Sequence, residues 1–360
     1  MASSSPPPAA PPEAAPLTGS GAAPSRSDLR PGNLRVVFMG TPDFAVPTLA
    51  SVVDLGCQVV GVVSQPDRPK GRGQQLERTP VAAFADWHGL PVHQWARLNN
   101  DSYAALADLK PDLCVVVAYG KILPQRYLDL PRFGCLNGHA SLLPGLRGAA
   151  PIQWSVIRGH RETGTSIMRM EAGMDTGPVA LMRRTPIAPD ETAGALHDRL
   201  AAITAEAMAE AIERLCAGRL VFEPQDHAGA TLAPMLQKAD GRIDFAWTAQ
   251  AVHDRVRGTS PWPGAFVDTA EGPLKILASR VAEPASEADE PGTVSPVPGT
   301  VCPEPGTVIA HDPDGPRVAC GGGGAITLLQ LQRAGRRVCP GADFLRGVPQ
   351  PVGTRFGASL

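Results

Sequence analysis

The stretch "DLCVVVAYG", residues 112–120, decides the fold class of this chain. No polar residue interrupts its apolar run, which is typical of a strand buried on both faces of a parallel sheet. Similar β-branched runs occur at 34–40 and 57–64, and helix-compatible stretches separate them. Strands that alternate with helices indicate βαβ units, so we expect an α/β fold with a mostly parallel sheet.

The pattern downstream predicts more strands, a long helix and a change of domain. Strands are expected at 134–140, 163–170 and 179–187, the last two as antiparallel additions, and a helix at 192–217. Short strands and turns follow, which predicts a separate, smaller, mostly β domain. The expected organisation is a disordered tail at 1–33, a first domain at 34–217, a linker at 218–226, and a second domain at 227–360 that contains a low-complexity insertion at 283–307.

Composition excludes some classes of protein. The seven cysteines are scattered and form no CxxC pair, which indicates reduced thiols rather than disulfides or a zinc site. The chain has no apolar run of about 18 residues, and its first 33 residues lack the apolar core of a secretory signal. We therefore expect a cytoplasmic protein without a metal and without a membrane partner. The net charge of −2 neither favours nor excludes an anionic partner.

Polar side chains stand where one predicted strand ends. Asn137 and His139 are two apart in "GCLNGHA", so both side chains point to the same side of the sheet, at the edge where parallel α/β sheets bind ligands. Asp175 lies in the Gly-rich segment "EAGMDTGPV". An amide can donate to a developing oxyanion, an imidazole can carry a proton, and a carboxylate can orient it. Together they suggest acyl transfer, although each alone also fits a polar loop residue.

A basic segment, "QPDRPKGRGQQLER" at 65–78, is predicted to form a loop. It is either a solvated surface loop or a finger that orders on a nucleic acid. The second domain also has an excess of basic residues once its acidic segment at 283–314 is set aside, which predicts phosphate contacts there. The candidates in that domain are Lys238, Arg242, Arg255, Arg257, Arg333, Arg336 and Arg337.

The motif "NGHASLLPGLRGAAPIQ" at 137–153, followed by "GMDTG" at 173–177, resembles the 10-formyltetrahydrofolate-dependent formyltransferases. Further motifs resemble the members of this family that act on methionyl-tRNA. They are "FMGTPDFAVPTL" at 38–49, "QPDRPKGRG" at 65–73, "VVVAYGKILP" at 115–124, "KADGRIDF" at 238–245 and "SPWPGAF" at 260–266. The resemblance covers nearly all of the chain after residue 33.

This resemblance implies a Rossmann-like domain followed by an OB-like β-barrel domain. It implies a monomer that transfers a formyl group from the co-substrate 10-formyltetrahydrofolate to methionyl initiator tRNA, with Asn137, His139 and Asp175 as the catalytic residues. Folate contacts would come from Tyr119, Gly120, Ile122 and Leu123, and from Ser141, Leu142, Leu143 and Pro144. Arg68, Lys70 and Arg72, with Lys238 and Arg242, would contact the tRNA.

The chain departs from the family pattern at three positions. Gly138 stands where a β-branched residue is usual, and Gly145 and Leu146 stand where a basic residue and an aromatic residue are usual. These departures suggest altered packing of the loop and a slower enzyme. The alternatives are a formyltransferase for a nucleotide-linked amino sugar, which has less use for a basic finger, and a tRNA-binding module without catalysis. The absence of GxGxxG disfavours a dehydrogenase.

Overall fold

A computed structural model describes residues 29–70, 75–269, 271–282, 303–347 and 351–356. The predicted tail at 1–33 and the predicted insertion at 283–307 lie outside these ranges except for their last five residues. Arg72 also lies outside them. Within the predicted tail, Pro31–Asn33 form a short 3-10 helix that leads into the first strand.

The first domain is built on one large sheet and one hairpin. Its strands are β1 (Arg35–Gly40), β2 (Gln58–Ser64), β3 (Arg68–Lys70), β4 (Gln75–Glu77), β5 (Val92–Gln94), β6 (Leu113–Val117), β7 (Cys135–His139), β8 (Glu162–Arg169) and β9 (Val179–Pro186). The seven-stranded sheet has the order β5-β2-β1-β6-β7-β8-β9. The neighbours from β5 to β7 are parallel, whereas β8 and β9 are antiparallel additions. Both features were predicted from the apolar runs.

Three of the helices described in this domain begin at a residue whose side chain caps a free amide group. The helices are α1 (Val46–Asp54), α2 (Pro80–Trp87), α3 (Asn100–Asp108), α4 (Gln125–Leu128), α5 (Pro151–Ile157) and α6 (Ala193–Cys216). The side chains of Thr79, Asn99 and Thr192 accept hydrogen bonds from the first turns of α2, α3 and α6. The long helix α6 buries Leu196, Leu200 and Met208 in the same apolar core as β1 and β6.

The sequence predicts a loop at 65–78, but part of this basic segment forms strands. Its two ends pair as the antiparallel strands β3 and β4, with Arg68 opposite Glu77. Arg78 closes the base of this hairpin through hydrogen bonds to Asp86 and Gln94. Local pairing and these side-chain bonds override the Pro and Gly content that predicted a loop.

The second domain is smaller and rich in antiparallel strands, as predicted. It contains β10 (Ala265–Thr269), β11 (Gly272–Val281), β12 (Val308–Asp312), β13 (Gly315–Ala319), β14 (Ala325–Arg333) and β15 (Cys339–Pro340), with helices α7 (Ala249–Gly258) and α8 (Gly341–Gly347). The strands follow the order β10-β11-β14-β13-β12, and β15 pairs with β14. Val252 and Val256 of α7 pack into the core of this sheet.

Candidate active site

Asn137 and His139 lie at the carboxyl end of β7, near the middle of the sheet. Parallel pairing with β6 and antiparallel pairing with β8 fix the register of both residues, since Asn137 stands opposite Met168 and His139 opposite Ser166. They are only 9% and 6% exposed. The described residues form no hydrogen bond with the Asn137 side-chain amide, so this amide is available to donate to a substrate oxygen.

The two nitrogen atoms of the His139 ring face two different acceptors. Nε2 lies 3.0 Å from the carbonyl oxygen of Leu146. A carbonyl oxygen can only accept, so Nε2 carries a proton. Nδ1 lies 3.7 Å from Oδ2 of Asp175, too far for a direct hydrogen bond but close enough for an ion pair when the ring is protonated. The nitrogen left to exchange a proton is therefore Nδ1.

Asp175 is held in an unusual backbone conformation by its neighbours. Its φ of 52° is in the left-handed region, where Asp and Asn are tolerated better than most residues. The amide of Gly148 donates to its Oδ2 at 2.8 Å, which orients the carboxylate. Nε2 of Gln225 donates to the Asp175 carbonyl oxygen at 2.9 Å. The structure thus brings together the three predicted catalytic residues.

The predicted folate segment at 141–144 folds around hydrogen bonds of two serines. Ser141 Oγ donates to the Gly145 carbonyl oxygen at 2.6 Å. Ser166 Oγ bridges the Ser141 carbonyl oxygen and the Leu143 amide. Ser141 and Leu143 are buried, whereas Leu142 and Pro144 are half-buried. The side chains of Ser141 and Leu143 therefore support the segment, and those of Leu142 and Pro144 are accessible to a ligand.

The second predicted folate segment follows β6. The Tyr119 carbonyl oxygen accepts hydrogen bonds from Thr41 Oγ1 and Gln65 Nε2, and Gly120 takes a left-handed φ of 81°. Tyr119 and Leu123 are buried, and burial raises the pKa of Tyr119 to about 12. Ile122, in contrast, is 88% exposed. Among the side chains of this segment, Ile122 is the most accessible to a ligand.

The predicted tRNA-binding residues are in different settings. Arg68 on β3 and Lys238 are exposed, and Arg242 pairs with Asp268 at 2.8 Å while it stays largely exposed. The Lys70 backbone is part of β3, but the structure does not describe its side chain. Arg72 lies outside the described residues.

Arg257 corrects one expectation for the second domain. Its side chain is buried, and its NH2 group pairs with Asp254 at 2.7 Å. Arg257 NH1 also donates to the Glu191 carbonyl oxygen at 3.2 Å, which ties α7 to the turn before α6. Its role is therefore structural, and a phosphate could not reach it without breaking these bonds.

Three polar residues of the site were not assigned a role from the sequence. Arg147 is buried and donates from Nε and NH2 to Oε1 of Gln225 at 3.2 and 2.7 Å. Thr231 Oγ1 accepts from the Leu146 amide at 2.9 Å. Gln225 belongs to the predicted linker and Thr231 follows it. Polar side chains in a linker predict solvation, so the sequence carried no clear signal for these contacts.

The described residues contain no group of three or more His, Cys, Asp or Glu side chains arranged to hold a metal ion. None of their helices is both long and apolar enough to cross a membrane.

The fold and the site together define a formyl transferase. A mostly parallel α/β sheet presents an amide beside an imidazole–carboxylate pair, and a β-rich domain follows it. A family model described as "Formyl transferase" matches residues 34–212. A second, "Formyl transferase, C-terminal domain", matches residues 235–349.

Relatives that are similar in sequence show which family of formyl transferases this chain belongs to. The methionyl-tRNA formyltransferase of Citrifermentans bemidjiense is 44% identical over 325 residues, which cover 90% of this chain and 96% of the relative. The methionyl-tRNA formyltransferase of Ruegeria pomeroyi is 48% identical over 324 residues, which cover 90% of this chain and 100% of the relative. The chain belongs to the methionyl-tRNA formyltransferase family.

Solved structures share the fold at low sequence identity. An N-formyltransferase from Helicobacter canadensis, in complex with folinic acid and dTDP-3-aminofucose, has a TM-score of 0.61 at 15% identity and covers 82% of this chain and 99% of that chain. HypX from Aquifex aeolicus, in complex with tetrahydrofolic acid, has a TM-score of 0.55 at 16% identity over 87% of this chain. This chain spans only 47% of HypX. Both likenesses establish the fold alone.

Proposed function

We propose that this chain transfers the formyl group of 10-formyltetrahydrofolate to the α-amino group of methionine carried by initiator tRNA. The observation that carries the proposal is the convergence of Asn137, His139 and Asp175 at the end of β7. This convergence occurs in a chain 44% identical to a methionyl-tRNA formyltransferase over nine-tenths of its length. The product, N-formylmethionyl-tRNA, would serve the initiation of translation in the cytoplasm. We further infer that the chain acts as a monomer.

The residues near the site fit a partly apolar co-substrate. The apolar side chain of Ile122 is exposed to solvent. Gly120, two residues earlier, leaves open space, because a Cβ atom at this position would have only Gln65 Nε2 within 4 Å, at 3.7 Å. Leu142 and Pro144 add half-buried apolar surface from the second segment. When bound, 10-formyltetrahydrofolate would supply the formyl carbon. Flat ring systems gain free energy from burial against apolar surface of this kind.

The geometry assigns a role to each of the three residues. The attacking α-amino group has a pKa of roughly 7.7–8.0, so part of it is already the free base near neutral pH. The Asn137 amide would donate to the oxygen of the formyl group as negative charge develops there. His139 would take the amine proton at Nδ1, since Nε2 is committed to Leu146. Asp175 would stabilise the resulting imidazolium. His139 would then give that proton to the folate nitrogen as the bond between this nitrogen and the formyl carbon breaks.

The acceptor end of the tRNA is proposed to contact three residues of the basic segment, Arg68, Lys70 and Arg72. The tRNA backbone is proposed to contact Lys238 and Arg242 of the second domain. Arg68 and Lys238 are exposed, and Arg242 keeps most of its surface despite its ion pair. Phosphate contacts of this type contribute affinity that falls with salt concentration.

The test is formyl transfer from 10-formyltetrahydrofolate to methionyl initiator tRNA. Methionyl elongator tRNA and a nucleotide-linked amino sugar serve as competing acceptors, and His139→Ala serves as the site control. Transfer to initiator tRNA that is lost in His139→Ala is the expected result. Transfer to the sugar alone would overturn the proposed acceptor. Equal rates for wild type and His139→Ala would overturn the proposed site.

A further inference from the structure

The chain segment that joins the two domains crosses directly over the active site. This crossing segment, residues 223–233, lies between the ranges matched by the two family models, 34–212 and 235–349. It begins with Glu223, whose amide and carbonyl groups both pair with Val179 at the start of β9. It ends with Ala233, whose amide donates to the Arg147 carbonyl oxygen at 2.7 Å. Both of its ends are therefore fixed to elements that carry the site.

The crossing segment fixes the acceptor of the His139 ring. The carbonyl group of Leu146, which accepts from Nε2 of His139, and the amide of Arg147 belong to one rigid peptide group. That amide donates to the Thr231 carbonyl oxygen at 2.8 Å. Thr231 Oγ1 also accepts from the Leu146 amide at 2.9 Å. Thr231 therefore holds the backbone on both sides of Leu146, which itself has a left-handed φ of 59°.

The same segment fixes the carboxylate partner of His139. Nε2 of Gln225 donates to the carbonyl oxygens of Asp175 at 2.9 Å and Gly177 at 2.7 Å. These bonds span the left-handed turn at Asp175 and satisfy the carbonyl groups of both residues. Oε1 of Gln225 accepts from Arg147 on the opposite loop. One buried side-chain amide thus links the loop of Asp175 to the loop of Leu146.

We propose that Gln225 and Thr231 are positioning residues for formyl transfer, through which the interdomain segment sets the geometry of the His139–Asp175 pair. The inference rests on the proposed function. It means that the active site is completed by residues outside both matched domain ranges. A displacement of about 1 Å in such a pair lowers catalysis by roughly 100-fold, so loss of either contact has a large effect on turnover.

The variants are Gln225→Met and Thr231→Val, each close to the wild-type side chain in shape. Thr231→Ser keeps the hydroxyl oxygen and serves as the conservative rescue. Gln58→Met is the matched control, because Gln58 donates an amide hydrogen bond to the Gly32 carbonyl oxygen at the opposite end of the sheet. The Thr231 side chain is exposed, so its substitution leaves the apolar core intact. Thermal unfolding of every variant reports whether it is folded.

In kinetics, kcat should fall roughly 10- to 100-fold in Gln225→Met and Thr231→Val, with KM for both substrates within about twofold of wild type. The pH profile of kcat should shift in these two variants, and Thr231→Ser and Gln58→Met should match wild type. A folded Gln225→Met and a folded Thr231→Val that keep wild-type kcat and the wild-type pH profile would overturn the inference.

A second readout does not depend on activity. Nitrogen-15 NMR of histidine-labelled protein reports the protonation of each ring nitrogen, and His139→Asn identifies the His139 signals. The chemical shifts of these signals should change in Gln225→Met and Thr231→Val and not in Gln58→Met. Wild-type protein that fails to transfer formyl groups would overturn the proposed function, whereas unchanged His139 signals in both variants would overturn this inference separately.

Discussion

The Cγ2 atom of Thr204 lies 2.6 Å from the position that a Cβ atom on residue 138 would occupy. Thr204 projects from α6 and is fully buried. Its hydroxyl donates to the Leu200 carbonyl oxygen and lies 2.9 Å from the Thr165 hydroxyl. Gly138 stands between Asn137 and His139 on β7. The space that the family pattern gives to a β-branched side chain is thus filled from α6 in this chain.

Gly138→Val should therefore destabilise the protein rather than restore it. The added methyl groups would collide with Thr204, which cannot turn without breaking its two hydrogen bonds. We expect the free energy of unfolding to fall by about 1–3 kcal/mol, the usual effect of overpacking. Guanidinium unfolding of Gly138→Val, Thr204→Ala and the double variant measures it. The double variant should lose less than the sum of the single variants, and additive losses would contradict this explanation.

Asp175→Asn should separate the charge of the carboxylate from its structural role. Asn keeps an oxygen that can accept from the Gly148 amide, and it tolerates the left-handed backbone. It removes the negative charge that would stabilise a protonated His139. We expect kcat to fall roughly 100-fold or more, while the free energy of unfolding changes by less than about 1 kcal/mol.

Asp226→Asn provides the matched control for this change. The Asp226 carboxylate is exposed and accepts a hydrogen bond from the Ala228 amide within the crossing segment, and Asn can accept the same bond. Steady-state formylation kinetics on both variants give the comparison. Similar kcat values for Asp175→Asn and wild type would show that the charge is not used.

The elements of this fold that can be predicted from the sequence depend on local interactions. Continuous apolar runs predicted β1, β2 and β6 because strands buried on both faces admit few polar side chains. The spacing of Asn137 and His139 is also local, so their shared direction could be predicted. The grouping of Asp175 with these two residues rested on its residue type and on the family resemblance, because 36 residues separate it from His139.

The features that the sequence does not predict depend on contacts between residues that are far apart in the chain. The bonds from Gln225 to Asp175 and Arg147 and from Thr231 to Leu146 join residues 50 to 85 positions apart. The burial of Arg257 depends on the turn at Glu191, 66 positions away. Charge and polarity along the chain predict solvent exposure for such residues, and only the packing of the two domains reverses that expectation.

Arg68→Ala should weaken tRNA binding without affecting the folate co-substrate. Arg68 is exposed on the basic hairpin, and a phosphate contact there would release about one counterion. The slope of log Kd against log salt should therefore decrease by about 1. Arg184→Ala, which removes an exposed arginine paired with Glu162, is the control. Filter binding of initiator tRNA over a salt series measures both, and equal slopes for both variants would remove Arg68 from the interface.

His93 should make stability depend on pH. Its Nε2 atom is buried without a hydrogen-bond partner in the described structure, and burial lowers the pKa of the ring below its ordinary value. Below about pH 6.5 the unfolded chain therefore binds a proton that the folded chain does not yet bind. The free energy of unfolding is accordingly highest above this pH and falls as the pH decreases toward the lowered pKa.

His93→Phe keeps a ring beside Trp95 and cannot titrate, so it should lose less stability than wild type between about pH 7 and pH 5.5. His88→Phe is the control, because His88 is exposed and its ring stacks on Phe84. Urea unfolding at a series of pH values, with ionic strength held constant, measures the three slopes. His88→Phe should follow wild type. If His93→Phe also follows wild type over this range, the pH dependence comes from other groups and the buried His93 ring is not its source.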